Sequence, residues 1–122
     1  DLTVKGWKRD FEMVNANKRV RIESQNSRIA GVGTFPKDVI SGGRYKLVFN
    51  ARGNSRLQVV ASGKTLSRLD VTTAFHTVPD QWKKGEFIFN IPEKSTDCAI
   101  SFFIWDQPGK WFEIKDFEVI GF

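Results

Sequence analysis

Period-two alternation of apolar residues constrains this chain more than any other feature. Between Cys98 and Phe122, Ile100, Phe102 and Ile104 alternate with Ser101, Phe103 and Trp105. The cluster Asp106-Gln107-Pro108-Gly109 breaks the run. Phe112 and Ile114 then alternate with Trp111, Glu113 and Lys115, and Phe117 and Val119 carry the pattern on. Such alternation turns one face of a strand inward and leaves the other to solvent or ligand. The stretch therefore reads as two strands joined by a tight turn, with Ile100, Phe102, Ile104, Phe112 and Ile114 as the core face. Phe103, Trp105 and Trp111 fall on the opposite face, where solvent alone calls for no large ring.

The same period recurs upstream. Val20 and Ile22 alternate with Lys18, Arg19, Arg21 and Glu23, and Ser24-Gln25-Asn26-Ser27 is a turn cluster. Arg28 to Phe35 reads as a strand whose Gly31 and Gly33 mark a bulge or a close backbone approach. Tyr45, Leu47 and Phe49 define a strand, and Arg52-Gly53-Asn54-Ser55 reads as a hairpin turn to a partner carrying Leu57, Val59 and Ala61. Leu69 to Thr73 and the Phe87/Phe89/Ile91 row add two more. Residues 1–17 read as an irregular opening segment with one short strand and Trp7 as a core plug at a sheet edge. About eight or nine short strands separated by turn signals, without a sustained helical stripe, predict an all-β fold. The expected form is a two-sheet antiparallel β-sandwich of jelly-roll type, with no substantial helix. A length of 122 residues, with 40% hydrophobic residues and eleven Phe, supports one core and one domain, 1–122.

Several function classes find little support. No apolar run approaches the roughly 18 residues of a membrane span, so no membrane insertion is expected. The sequence starts at Asp1 without a basic-then-apolar leader, and the expectation is a domain excised from a larger polypeptide. The single Cys98 opens an apolar strand and reads as a buried, inert thiol. His76 is the only histidine, and no nucleophile–base motif stands beside it. Asp106 and Glu113 could imitate a glycosidase carboxylate pair, but so short a chain leaves little room for a deep cleft. Zinc spacing and phosphate-cradling glycine loops are missing from the sequence. The chain is expected not to be an enzyme. Its net charge of +5 favours anionic surfaces such as acidic glycans, nucleic acid or lipid headgroups.

Three runs then point to a family: GGRYKLVFNARGNSRLQVV, VPDQWKKGEFIFNIPE and CAISFFIWDQPGKWFEIKDFEVI. Tyr45/Leu47/Phe49/Ala51, Trp82/Phe87/Phe89 and Phe112/Ile114/Asp116/Phe117/Val119 resemble the core positions of the jelly-roll carbohydrate-binding modules, over roughly residues 42 to 120. The closing strand looks like that of accessory sugar-binding domains in siphophage distal tail and baseplate proteins and in secreted glycoside hydrolases. The resemblance implies an extracellular or virion-associated module, and Trp82 at a core position. It also implies a possible structural calcium near the closing Asp116, with Glu12 as a second ligand. The sequence offers no dense Asp/Asn loop for the six to eight oxygens calcium takes, and Asp116 also reads as a turn-former. Apart from that calcium, no cofactor is expected.

Sugars lay apolar C–H faces on aromatic rings while polar side chains satisfy their hydroxyls. Trp105 and Trp111, flanked by Asp106, Gln107 and Glu113, with Asn50, Arg52 and Gln58 beside them, supply that inventory. The expected function is non-catalytic binding of a cell-surface or cell-wall polysaccharide, tethering a larger protein or virion to it. In the other reading of the rings, Trp105 and Trp111 pack as a minor core. Two other function classes stay open: a protein–protein adhesion or structural domain of a tail or baseplate, and single-stranded nucleic-acid binding through Lys18, Arg19, Arg21 and Arg28. Asp106 and Glu113 would repel phosphates, so no nucleic-acid partner is expected.

Overall fold

A computed structural model describes residues 2–8, 19–34, 42–63, 71–91 and 98–121. They form ten strands: β1 (Leu2–Lys5), β2 (Trp7–Lys8), β3 (Val20–Glu23), β4 (Ile29–Thr34), β5 (Arg44–Gly53), β6 (Arg56–Gly63), β7 (Val71–His76), β8 (Lys83–Asn90), β9 (Cys98–Trp105) and β10 (Trp111–Gly121). Sheet A has the order β1-β3-β10-β5-β8 and sheet B the order β2-β4-β9-β6-β7. No described residue is helical. The all-β sandwich expected from the alternation is the observed architecture.

The inward rows are those the sequence alternation marks. Ile100, Phe102 and Ile104 of β9 and Phe112 and Ile114 of β10 are all buried. With Tyr45, Leu47 and Phe49 of β5, beside β10, and Leu57, Val59 and Ala61 of β6, beside β9, they form one core between the sheets. Phe49 sits at the centre. Its ring meets Phe102 edge-on at 5.1 Å, Phe75 at 5.3 Å and Phe87 at 5.8 Å, arrangements that suit the ring quadrupole.

Connectivity departs from the sequence expectation in two places. β5 and β6 are not hairpin partners: β5 pairs with β10 and β8, while β6 pairs with β7 and β9. Likewise β9 lies in sheet B and β10 in sheet A, so Asp106 to Lys110 is a crossing between layers. A hairpin and a crossing leave the same alternating pattern in each strand, because both bury one face. The sheets are also mixed, since β1 runs parallel to β3 and β2 parallel to β4. Gly6 explains this edge. With φ at +80°, which costs glycine little, it kinks the opening segment so that its N–H donates to Glu23 O in sheet A. Its carbonyl accepts from Gly31 N in sheet B at 3.1 Å. One segment thus edges both layers.

β10 carries a bulge between Lys115 and Glu118, with Asp116 at φ +55°. The extra residue moves the inward row from Phe112 and Ile114 to Phe117 and Val119. Asp tolerates the left-handed region better than most residues, which gives the closing Asp a backbone role.

Candidate functional site

The crossing separates the two tryptophans expected to share one platform. Trp105 points outward from sheet B and Trp111 outward from sheet A, because Ile104 and Phe112 beside them point into the shared interior. A single Trp105/Trp111 platform is therefore excluded by the strand order, and each sheet has its own outward aromatic row.

On sheet A that row is closed over by cations. The Arg21 guanidinium lies 4.1 Å from the centre of the Trp111 ring, and Arg52 lies 4.6 Å from that of Trp82. Lys115 Nζ lies over Trp82 as well, at 4.3 Å. Trp82 is thus half-buried on the outer surface, and its core placement is corrected: the inward residues of β8 are Gly85, Phe87 and Phe89, and Trp82 falls in the other parity. Between the two stacked pairs sits Glu113, only 5% exposed. Arg52 Nε donates to its Oε1 at 3.1 Å, and Arg19 Nε meets Oε2 at 3.2 Å. Arg21 Nη1 approaches at 3.6 Å while its Nε donates to Glu23. Most of the basic cluster expected to attract nucleic acid is therefore engaged with carboxylates; Lys18 lies outside the described residues.

Asn50 belongs to the same face, where its Nδ2 donates to Asp116 Oδ2 at 2.9 Å. Glu12, the other suggested calcium ligand, lies outside the described residues. Among those residues no group of three or more His, Cys, Asp and Glu side chains is gathered. What Asp116 offers there is one carboxylate that already accepts from the Asn50 amide.

Sheet B presents a different surface. Trp105 is 46% exposed, and Trp7, which the sequence suggested as a core plug, is 41% exposed. Trp7 marks the edge strand and lies against bare backbone, where a Cβ on Gly33 would touch its ring at 3.5 Å. At Gly31 a side chain would collide with the Phe102 carbonyl and meet Phe103 Cβ at 2.6 Å, so β4 and β9 approach as only glycine permits. Gly31 opposes Phe103 and Gly33 opposes Ser101, and Gln58 opposes Phe103 from the other side. The outward row of β9 is thus Ser101, Phe103 and Trp105, with glycines on one flank and Gln58 on the other. Arg28 stands 5.0 Å from the Trp105 ring and 3.6 Å from Asp106. Its side chain is largely exposed, so one indole is loosely bordered and not sealed. Phe103 was the sequence signal for this face. Trp7 was missed because a two-residue strand shows no alternation.

Gln107 has a structural task. Its Oε1 accepts from Arg56 N and its Nε2 donates to Arg56 O, both at 2.9 Å. Its own carbonyl accepts from the buried Ser24 hydroxyl at 2.7 Å. This clamps the crossing to both sheets and uses the amide a sugar hydroxyl would need. His76 is exposed at the end of β7, with its backbone carbonyl accepting from Lys83 Nζ. The Cys98 side chain lies outside what is described.

No protein-family model matches the sequence, and no curated protein does. Solved structures do match in shape. A family 4 carbohydrate-binding module superposes with a TM-score of 0.61 at 12% identity, over 76% of this chain and 61% of that one. A tailspike protein of bacteriophage CBA120 gives 0.65 at 11% identity, over 84% of this chain and 15% of the other. A cyclase from Fischerella gives 0.62 at 12% identity, over 80% and 59%. The likeness is one of fold. The sandwich is that of carbohydrate-binding modules, a scaffold that also occurs in a named enzyme, and the chain spans less than two thirds of each of these relatives.

Proposed function

We propose that the outward face of sheet B binds a saccharide chain without catalysis, and that the domain tethers a larger extracellular or virion-borne protein to a cell-surface polysaccharide. One observation carries this: Trp7 and Trp105 are exposed on the same sheet face, with only the largely exposed Arg28 over Trp105 at 5.0 Å, while Trp82 and Trp111 on the other face lie closer beneath guanidinium and ammonium groups at 4.1–4.6 Å. An open ring can receive the C–H face of a pyranose; a capped ring must first lose its cation. Gln58, Ser101, Arg28 and Asp106 supply donors and acceptors around the rings. They include two of the polar candidates named from sequence, whereas Asn50, Arg52 and Glu113 belong to the other face. The shared fold with carbohydrate-binding modules supports the ligand class.

A glycan array probed with wild type, Trp7→Ala, Trp105→Ala and Trp111→Ala tests the proposal. Binding to a neutral polysaccharide should fall about tenfold or more in Trp105→Ala, and also in Trp7→Ala, as loss of a central aromatic contact at an interface does. Trp111→Ala should leave it unchanged. Retained binding in the Trp7→Ala/Trp105→Ala double variant, with the fold intact by circular dichroism, would falsify the assignment to this face.

A further inference from the structure

We infer that the outward face of sheet A is a second, separate site that takes carboxylate-bearing saccharides such as polyuronates. The argument begins with hydrogen-bond supply. A carboxylate offers about four lone-pair positions, whereas each guanidinium carries five N–H donors in a fixed plane. Arg21 and Arg52 converge with Arg19 on the single carboxylate of Glu113, which can accept only a fraction of what the Arg21 and Arg52 guanidinium groups offer. With Lys115, four cations stand against Glu23 and Glu113 and, at the margin, Asp116 and Glu118.

Arrangement matters as much as count. Stacking on Trp111 and Trp82 fixes the planes of Arg21 and Arg52, and a guanidinium held flat loses less freedom when it engages an anion. The anion these groups already surround is a carboxylate, so a second carboxylate meets matching geometry, with N–H pairs facing paired oxygens. A nucleic-acid strand suits the face less well. Its bases would need ring faces that the cations cover. The inference borrows the saccharide class from the preceding proposal but shares no residue with that site.

Polygalacturonate and its fully methyl-esterified form carry the same backbone with and without charge, and they are the probes. The expected result is binding of the acid form alone, weakening as salt rises. Loss of about tenfold or more is expected in Arg19→Gln and in Arg52→Gln, as for a removed charge-assisted hydrogen bond. Glu113→Gln supplies the sharper readout. It keeps the shape of the side chain but removes the resident anion, so binding of the acid form should tighten. A merely structural cluster would show weaker or unchanged binding in that variant. Equal binding of the esterified polymer, equal or tighter binding of single-stranded DNA, or no binding of the acid form would each overturn the inference. The Trp7→Ala/Trp105→Ala variant should bind polygalacturonate as wild type does, so failure of one site is readable apart from the other.

Discussion

At the scale of single residues, two glycines two positions apart make opposite demands. A methyl group at Gly31 would strike the Phe102 carbonyl and the Cα and Cβ of Phe103, none of which can swing aside, so Gly31→Ala should cost about 3 kcal/mol or more, seen as a lowered urea midpoint. At Gly33 the same methyl makes ordinary contact with the Trp7 ring. Gly33→Ala should fold with near wild-type stability, and its readout is binding on sheet B. Phe49→Ala removes the ring that three other aromatics touch, and a loss of about 3–5 kcal/mol is expected. Titration enters at Glu86. The hydrogen bond and charge of Lys84, with Lys46 beyond, hold its carboxyl below the ordinary value of 4.5. A depressed carboxyl stabilises the fold above its unfolded-state pKa and loses that contribution as pH falls through the folded-state value. Because Glu86 is fully exposed the effect is small and screened by salt. Lys84→Gln should therefore lower the urea midpoint slightly at pH 7 in dilute buffer, an effect that fades as pH falls through the folded-state value and as salt rises.

At the scale of elements, the crossing from β9 to β10 does the most with the fewest residues. Ser24 lies buried beneath it, donating to Gln107 O and accepting from Lys110 N at 3.2 Å. Ser24→Ala removes both bonds and leaves Gln107 O and Lys110 N only the bond they make to each other at 3.2 Å, so it should cost about 1 kcal/mol. Gln107→Ala, whose lost bonds to Arg56 are exposed to water, should cost less, and thermal melts of the two variants give the comparison. This crossing also shows what the amino-acid pattern could and could not convey. Inward rows such as Ile100/Phe102/Ile104 were readable because burial alternates with the pleat, whereas the bulge was passed over: Phe117 and Val119 were read as continuing the pattern although the inward parity changes after Ile114. Which sheet a strand joins was not readable. That choice depends on pairing between distant segments, and Asp-Gln-Pro-Gly serves a hairpin and a crossing equally. Trp105 and Trp111 were thus recognised as outward rings but assigned to one face. Trp82 was misplaced because one parity step separates the inner from the outer row.

At the scale of the whole molecule, the same strand order sets how fast the fold can form. Among the described ladders only β6 with β7 joins strands adjacent in sequence; the rest unite distant segments, as in β3 with β10 and β4 with β9. Loop closure must precede the contacts that reward it, so refolding should take about milliseconds to seconds even when the native state is stable. Stopped-flow refolding should show this. Ser24→Ala should then change the unfolding limb more than the folding limb, if the crossing docks after the rate-limiting step. A layered arrangement that keeps two faces apart in space also delays the moment at which either exists. Until β9 and β10 have found their separate partners there is a chain with exposed aromatic rows, and transient association during synthesis is the hazard that accompanies this architecture.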